Sequence, residues 1–320
     1  MTAQTASSAD SGADAGKVAR AIVSALSAIF LFASMNAAIK WLGSSYPVSQ
    51  IVFCRALFAL VAIWPMIAAN GGWRSLRTER PWDHAWRCAF GVIGMGCGFT
   101  AITLLPLANV AALAYSAPLF TTVLGVLLLG EKVRWRRSAA IILGFLGVLV
   151  MLRPDLESGS DDIGGMRMLG SGLALAGAAC AALAMISIRR LSTTEANTTI
   201  VFYFMLSGTI LSGLFLPFQF VMPTVFDAFL LIGIGLVGGV AQLLLTQAYR
   251  QAPVAVVAPF DYSSILWATL YGFLIWGHIP DMTVAVGALI VIGSGVYITL
   301  REIKLGVTKA PPSKIRGALP

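Results

Sequence analysis

Residues 39–53 of the chain read IKWLGSSYPVSQIVF, and residues 188–202 read IRRLSTTEANTTIVF. At this constant offset Ile, Leu, Ile, Val and Phe recur, and a basic residue and a pair of hydroxyl residues also stand at equivalent positions. The basic pair is Lys40 and Arg189. With small shifts of the offset, further positions match: Gly91 and Gly94 with Gly235 and Gly238, Tyr115–Ser116 with Tyr262–Ser263, Gly125 with Gly272, and Gly130 with Gly277. The chain therefore consists of two similar halves.

The composition predicts that both halves lie in a membrane. Of the 320 residues 58% are hydrophobic and 11% are charged, whereas a soluble domain has roughly a quarter charged residues. Folded in water, such a sequence would expose large apolar areas. At roughly 20 apolar residues per crossing, we count ten spans, at about 20–42, 48–69, 84–105, 108–130, 136–152, 168–188, 198–220, 227–249, 253–276 and 281–300. The predicted fold class is an all-α, polytopic membrane protein.

Each half holds five spans, and an odd number requires the second half to start from the opposite side of the membrane. Similar halves of opposite orientation form an inverted repeat with a pseudo-twofold axis in the membrane plane, as in many secondary transporters. We assign the first repeat to residues 20–152 and the second to residues 168–300. We also expect a disordered cytoplasmic start at 1–19, an external loop at 153–167 and a basic cytoplasmic tail at 301–320.

The basic residues predict the orientation. If the N-terminus is cytoplasmic, Lys40, Arg153 and Arg167 fall outside and Arg55 falls within a span, which leaves 18 of the 22 lysines and arginines on the cytoplasmic side. The positive-inside rule then places both termini in the cytoplasm. The same loops account for the net charge of +8, so we expect the lipid bilayer and no nucleic acid as a partner.

Two further motifs carry a family resemblance. Gly130–Glu131 closes the fourth span, and AYRQAPVAVVAPFDYS (Ala248–Ser263) joins the eighth and ninth spans. Together with the two five-span halves, they resemble the drug/metabolite transporter superfamily, EamA type, over about residues 20–300. The resemblance implies a ten-helix inner-membrane carrier whose central cavity is lined largely by the third, fourth, eighth and ninth helices, helped by the first and sixth. The second half departs from the pattern, with Gly277–His278 at the position of Gly130–Glu131.

Asp261 is the one carboxylate deep inside an apolar run, about eight residues into the ninth span. A charge at the bilayer centre costs about 2.5–3.5 kcal/mol on insertion scales, so this carboxylate must be protonated, paired or solvated by a cavity. As a functional group it would couple transport to protons or bind a cationic or amino group of the solute. The structural alternative is a pairing with Tyr262, Arg250 or a helix-terminal amide near Pro259.

Polar and aromatic side chains in four spans are the candidates for lining a cavity. On the eighth span they follow two glycines at three- and four-residue steps, which places them on one helix face; adhesion between helices is the alternative. A tryptophan in the ninth span would stack on an aromatic or planar solute, face the lipid or pack in the core. The candidates are Asn36, Tyr115, Gln242, Thr246, Tyr249, Asp261, Tyr262 and Trp267.

A second group of residues is assigned structural or gating roles. Lys40 lies close enough to the outer surface to extend its ammonium there. We expect Arg55 to brace the bundle by pairing, with contact to an anionic solute as the alternative. Pro118 frees a carbonyl inside the bilayer, which neighbours or cavity water must satisfy. The whole group is Lys40, Arg55, Pro118, Glu131, Arg250 and Pro259.

The sequence contains no recognisable enzyme machinery. The nearest match to a phosphate loop, GADAGK at Gly12–Lys17, has the wrong glycine spacing and lacks the following Ser or Thr. Two histidines at membrane edges and four cysteines without metal-ligand spacing predict no catalytic triad, no metal and no cofactor. An ion gradient or solute exchange must therefore drive transport, and protons are the candidate coupling ion.

These patterns predict a secondary transporter of small organic metabolites that works by alternating access. An aromatic cavity with a single Asp suits amino acids or related amphiphilic aromatic compounds, and the resemblance implies amino acids as cargo, since related exporters carry them. PVSQIVFCRALFA (Pro47–Ala59) is also similar to riboflavin and S-adenosylmethionine carriers of the same superfamily, so uptake of such solutes is the alternative. A membrane-embedded enzyme or a scaffold subunit is the alternative of another class. An enzyme should bring several carboxylates or histidines to one depth, whereas this chain offers Asp261 alone.

Overall fold

The computed structural model describes residues 2–69, 71–129, 135–157, 162–192, 194–251, 257 and 260–304, and its regular secondary structure within these residues is entirely helical. A short 3-10 turn at Gly72–Leu76 precedes the third helix. The α-helices are α1 Thr2–Leu42, α2 Val48–Ala69, α3 Pro81–Leu104, α4 Leu107–Ala114, α5 Ala117–Leu129, α6 Trp135–Glu157, α7 Asp162–Leu191, α8 Asn197–Gly213, α9 Leu216–Gln219, α10 Val225–Gln251, α11 Ser264–Trp276 and α12 Met282–Lys304.

The hydropathy of these helices confirms an all-α, polytopic membrane fold. Six helical stretches are long and apolar enough to cross a membrane: Lys17–Leu42, Val48–Ala69, Pro81–Leu104, Leu107–Gly125, Gly164–Ile188 and Val225–Ala248. Three shorter apolar helices are Ser138–Pro154, Ser264–Trp276 and Met282–Ile298. Each predicted span overlaps a helix, but the number of ten crossings stays a prediction. The 17 residues of α8 and the 13 of α11 fall short of the roughly 20 that a crossing needs.

The first helix differs from the expectation of a disordered segment at residues 1–19. In the structure α1 begins at Thr2 and continues without interruption to Leu42. Alanine recurs through residues 3–15, and it has the highest helix propensity of all residues. The part of α1 that is apolar enough to cross a membrane begins at Lys17.

The contacts between helices follow the symmetry of the two halves. When each helix is replaced by its counterpart in the other half, one observed contact becomes another observed contact. This exchange replaces α1, α2 and α3 by α7, α8 and α10. The helix α10 packs on α1 and α2, and its counterpart α3 packs on α7 and α8. The pairs α2–α8 and α6–α12 each join a helix to its own counterpart. A pseudo-twofold axis between the halves requires this pattern, and the units that pack together therefore combine helices of both halves.

Four of the glycines that the sequence repeat matches lie at these helix contacts. Gly91 and Gly94 are in α3, and Gly235 and Gly238 are in α10. If each glycine carried a Cβ, the atom would approach Phe204 in α8, Cys180 in α7, Cys54 in α2 and Met35 in α1, respectively, within 2.7–3.0 Å. Equivalent glycines thus contact equivalent helices, because a missing side chain lets two helices approach closely.

The first turn of α2 holds the segment that precedes α10. The amide of the Gln50 side chain exchanges two hydrogen bonds with the backbone of Val221, at 2.8 and 3.0 Å. Tyr46, just before α2, donates from its hydroxyl to the carboxylate of Asp227 at 2.8 Å. These bonds join two connections that the sequence predicts to lie on the outer side of the membrane.

An equivalent set of bonds holds the segment before α3 at the opposite end of the bundle. Thr199 in the first turn of α8 donates to a backbone carbonyl of the 3-10 turn at 2.9 Å. The carboxylate of Glu195 accepts a hydrogen bond from the hydroxyl of Thr78 at 2.7 Å. In the repeat, Thr199 and Glu195 occupy the positions of Gln50 and Tyr46. Different side chains therefore make the same connection in the two halves.

Candidate functional site

A cavity of about 500 Å³ lies among α1, α3, α4, α10 and the start of α11. Its volume is within the range of roughly 300–1,000 Å³ that is usual for small-molecule sites. Apolar side chains such as Phe32 and Phe99 form most of the lining. The polar side chains in it are Asn36, Tyr115, Asp261 and Ser264. The lining comes from the first, third, fourth, eighth and ninth predicted spans, and in the described part of the chain the sixth contributes no lining residue.

In the described part of the chain, helical structure is interrupted at two turns beside this cavity. A turn at 115–116 separates α4 from α5, and a turn at 262–263 precedes α11. The first break is followed by Pro118, which has no amide hydrogen to donate to the preceding turn. The two turns are matched positions of the sequence repeat, and they meet: the ring centroids of Tyr115 and Tyr262 are 5.0 Å apart. Broken helices that face each other between the repeats are typical of transporter binding sites.

The hydroxyl of Tyr115 joins the two breaks. It lies 3.2 Å from the backbone carbonyl of Asp261, 3.1 Å from that of Tyr262 and 2.6 Å from Oγ of Ser264. The predicted residues Asn36, Tyr115 and Asp261 thus come together on one cavity, and their contact with a solute stays a prediction. Sequence reasoning missed Ser264, although it follows Asp261 by three residues and helical spacing places the two on one face.

Gln242 and Thr246 lie away from the cavity. They border a much smaller crevice between α10, α2 and α8, and the hydroxyl of Thr246 donates to the backbone carbonyl of Gln242 at 2.8 Å. Among the described side chains of α10, Leu245 lines the cavity, and an α-helix rotates it by about 100° from Thr246. Gln242 and Thr246 therefore lie where the alternative interpretation, contact between neighbouring helices, expects them.

The two aromatic candidates near the start of α11 also point away from the cavity. Trp267 packs with its ring edge against Phe30 of α1, with centroids 4.9 Å apart, which is the packed alternative. Tyr262 contributes its ring to the contact between the two breaks. Its hydroxyl lies 3.0 Å from the position that a Cβ of Gly295 in α12 would occupy.

Arg55 is buried, with 5% of its surface exposed, where α2 meets α8 and α10. Its Nη1 lies 2.8 Å from the sulfur of Met205 in α8, and its Nη2 lies 3.4 Å from the Cβ position of Gly238 in α10. Arg55 is absent from the described cavity lining. It therefore lies where a bracing residue is expected, and its hydrogen-bond partner among the described residues is the thioether of Met205.

Lys40 differs from the expectation that its ammonium extends to the outer surface. The ammonium donates to the backbone carbonyls of Ile102, at 3.2 Å, and Leu105, at 2.6 Å, at the end of α3. It also lies 5.6 Å from the ring centroid of Trp276. The last carbonyls of a helix lack partners within the helix and carry partial negative charge, so a nearby lysine binds them. Lys40 thus caps α3 from α1.

We expect Lys40→Met to lower the free energy of unfolding by about 1–3 kcal/mol, since the carbonyls of α3 lose a charged donor inside the bundle. Methionine preserves most of the length and apolar surface of the lysine side chain, so the change isolates the ammonium. Thermal unfolding of the detergent-solubilised protein measures the effect. If the ammonium instead extended outward to water, the melting temperature would stay at its original value, and the capping role would be wrong.

Some predicted residues or side chains lie outside the described part of the chain: Glu131, Pro259 and the side chains of Tyr249 and Arg250. His278, which replaces Glu131 in the second half, lies in the connection after α11. Burial, followed by the positive charges of Lys40 and Arg167, lowers the pKa of His278 below its ordinary value. His278 is therefore neutral at pH 7 and does not reproduce the charge of the acidic residue that it replaces.

An all-α membrane bundle with two exchangeable halves around a small-molecule cavity has the architecture of a membrane transporter. The chain belongs to the EamA-like transporter family, which it matches twice, over residues 19–153 and 168–301. This membership confirms the resemblance to the drug/metabolite transporter superfamily.

Proteins that are similar to this chain over most of its length are named as transporters of different solutes. Pseudopaline exporter CntI of Pseudomonas aeruginosa is 30% identical over 287 residues, 89% of this chain and 97% of the relative. An S-adenosylmethionine uptake transporter of Rickettsia bellii is 25% identical over 265 residues, 83% and 88% of the two chains. A riboflavin transporter of Vibrio cholerae is 30% identical over 283 residues, 87% and 92%. A chain of known crystal structure, 21% identical, superposes with a TM-score of 0.58 over 89% of this chain and 98% of its own length, which shows the fold alone.

Proposed function

We propose that the protein is a secondary active transporter that moves small organic metabolites across a bacterial-type inner membrane by alternating access, with both termini in the cytoplasm. The observation that carries this proposal is the cavity of about 500 Å³ between helices of both halves. Because the halves are similar, an exchange of their conformations turns a cavity open to one side into a cavity open to the other. Family membership and the named functions of the relatives support transport over catalysis.

The polar side chains of the cavity favour a solute that carries an amino group. Asp261 is the charged residue in the described lining, and Asn36 and Ser264 add hydrogen-bonding groups beside it. The nearby ammonium of Lys40 is bound to the end of α3 and does not belong to the lining. A carboxylate in a site of low dielectric constant attracts a cation strongly and repels an anion. Amino acids and related amphiphilic aromatic compounds combine the required amino group with apolar surface.

The second candidate function is uptake of a larger planar metabolite. Relatives named as S-adenosylmethionine and riboflavin transporters align with most of this chain. Both solutes contain a planar ring system, which the aromatic side chains Phe32, Phe99 and Tyr115 would accommodate. S-adenosylmethionine also carries an amino group, so Asp261 favours it over riboflavin.

Protons are the proposed coupling ion, and Asp261 is the proposed site at which they bind. A carboxylate that binds either a proton or the amino group of a solute makes the two ligands compete. Such competition couples the movement of one to the counter-movement of the other. This arrangement needs no hydrolysis of a nucleotide.

Purified protein in liposomes tests the proposal. With a pH gradient imposed, or with unlabelled solute inside for counterflow, we expect uptake of at least one member of a panel of amino acids, S-adenosylmethionine, riboflavin and nucleosides. Protein-free liposomes and liposomes whose gradient an ionophore has dissipated are the controls. If the protein moves no member of the panel by either method, the proposed function is wrong. A thermal-shift screen of the same panel identifies the solute class to label first.

A further inference from the structure

We propose that Tyr115 is the residue that positions Asp261, because its hydroxyl ties the helix break of the first half to the break of the second. This inference rests on the proposed function, since it gives Asp261 the role of binding the solute. The hydroxyl of Tyr115 acts on the solute through the placement of that carboxylate, separately from any contact that the ring makes.

The hydrogen bonds around the second break show why a tether is needed there. In a continuous helix the carbonyl of Asp261 would accept from the amide of Ile265, four residues on. Here the amide of Ile265 bonds to the carbonyl of Tyr262 at 3.4 Å, and that of Leu266 bonds to the carbonyl of Ser263 at 3.1 Å. The backbone therefore bonds over three residues at this point. Within a bilayer a carbonyl displaced from the helical pattern must find another donor, and the hydroxyl of Tyr115 supplies one from the other half.

The number of hydroxyl protons determines which group donates each hydrogen bond in this contact. Tyr115 has one hydroxyl proton, which it shares between the carbonyls of Asp261 and Tyr262. Ser264 must then donate its own proton to the oxygen of Tyr115, at 2.6 Å, because a hydroxyl both donates and accepts. A single side chain thus holds the backbone on both sides of the turn. The position of the Asp261 carboxylate relative to Asn36 and the rest of the lining depends on this contact.

The side chain that makes this contact belongs to the first half, and it bonds to the backbone of the second half. Tyr262 occupies the equivalent position in the repeat, and its hydroxyl lies beside Gly295 in α12, 3.0 Å from the Cβ position of that glycine. Its ring packs on that of Tyr115 with centroids 5.0 Å apart, which keeps the phenol of Tyr115 in place. Removing the hydroxyl of Tyr115 while retaining its ring therefore separates the tether from the packing.

Tyr115→Phe makes this separation, and Tyr271→Phe is its matched control. Tyr271 in α11 also shares a hydrogen bond with a serine of another helix, at 2.7 Å from Oγ of Ser34 in α1, and neither residue is among those that line the cavity. Hydrogen exchange of the protein without solute provides the first measurement. We expect the amides of residues 261–266 to exchange faster in Tyr115→Phe and at the original rate in Tyr271→Phe. Equal exchange of this segment in Tyr115→Phe and the unchanged protein overturns the proposal.

Transport kinetics provide the second measurement, with L-phenylalanine, S-adenosylmethionine and riboflavin as the solutes. For a solute with an amino group, we expect Tyr115→Phe to raise KM by up to about tenfold with little change in the maximal rate. Combined with Asp261→Asn, Tyr115→Phe should have almost no additional effect, because residues that act through one another are not additive. If the two substitutions raise KM by independent factors that multiply in the double variant, the positioning role is wrong. If the unchanged protein moves none of the three solutes and none of the wider panel, the proposed function fails, and the exchange measurement alone decides whether the tether exists.

Discussion

Replacing Asp261 by asparagine is expected to lower the affinity for an amino-bearing solute by roughly tenfold to a hundredfold. The carboxylate lines the cavity together with Asn36 and Ser264, and asparagine has nearly the same shape without the charge. A hydrogen bond to a charged group contributes about 1.5–3 kcal/mol, which corresponds to roughly this range of affinity. Binding and uptake of L-phenylalanine or S-adenosylmethionine measure the effect, whereas riboflavin, which lacks an amino group, should be affected much less.

The same substitution is expected to remove the dependence of uptake on the pH gradient. Asparagine does not bind a proton in the physiological range, so a gradient no longer changes the occupancy of this site. Solute exchange without a gradient should continue, with the lower affinity. Asp281→Asn is the matched control, because Asp281 lies in the exposed connection before α12 and accepts from the amide of Thr283 at 3.3 Å, a bond that asparagine retains. If the two variants have the same pH profile, Asp261 has no coupling role.

The repeat predicted more of the structure than any single motif did. Gly94 and Gly238 are matched in sequence, and each lies against the first helix of the other half. Such contacts can be recognised in the sequence as glycines, because a position where two helices approach closely excludes larger side chains. Asn36 was predictable for a related reason. An amide deep in an apolar span needs a polar partner or a cavity, and Asn36 lines the cavity.

The placement of Gln242 and Thr246 was beyond the reach of the sequence. Helical periodicity shows that they share one face of α10, but α10 is apolar or small on most of its other faces. A polar face turned toward a cavity and one turned toward neighbouring helices have the same pattern, so the rotation of α10 about its axis remained undetermined. The close approach of Gly235 to α2 fixes this rotation and turns Gln242 and Thr246 toward α2 and α8.

The role of Lys40 was hidden for a different physical reason. Its partners are backbone carbonyls at residues 102 and 105, more than 60 positions away along the chain. A backbone carbonyl has the same chemistry in every residue, so no side-chain pattern marks it as a partner. The depth of Lys40 in its span was compatible with the outer surface as well as with the end of α3. Only the packing of α3 beside α1 decides between them.

Gly235→Ala is expected to lower the free energy of unfolding by about 1–3 kcal/mol, as overpacking in a tight contact does. A Cβ at this position would stand 2.8 Å from the backbone carbonyl oxygen of Cys54 and 3.1 Å from Cα of Phe58, and it would also meet Cβ of Phe58. These atoms belong to the backbone of α2 or adjoin it, so a side-chain rotation cannot make room. The whole of α2 must move away from α10, which weakens the contact that joins the two halves.

Gly233→Ala is the matched variant, because Gly233 precedes Gly235 by two residues in α10 and has no atom within 4 Å of its Cβ position. Alanine there adds no clash and replaces a glycine inside a helix, which stabilises by roughly 0.5–1 kcal/mol. Two identical changes in one helix are therefore expected to shift the melting temperature in opposite directions. Thermal unfolding in detergent measures both shifts. If both substitutions shift the melting temperature equally and with the same sign, the higher helix propensity of alanine accounts for both shifts. The close contact of α10 with α2 would then not exist in the folded protein.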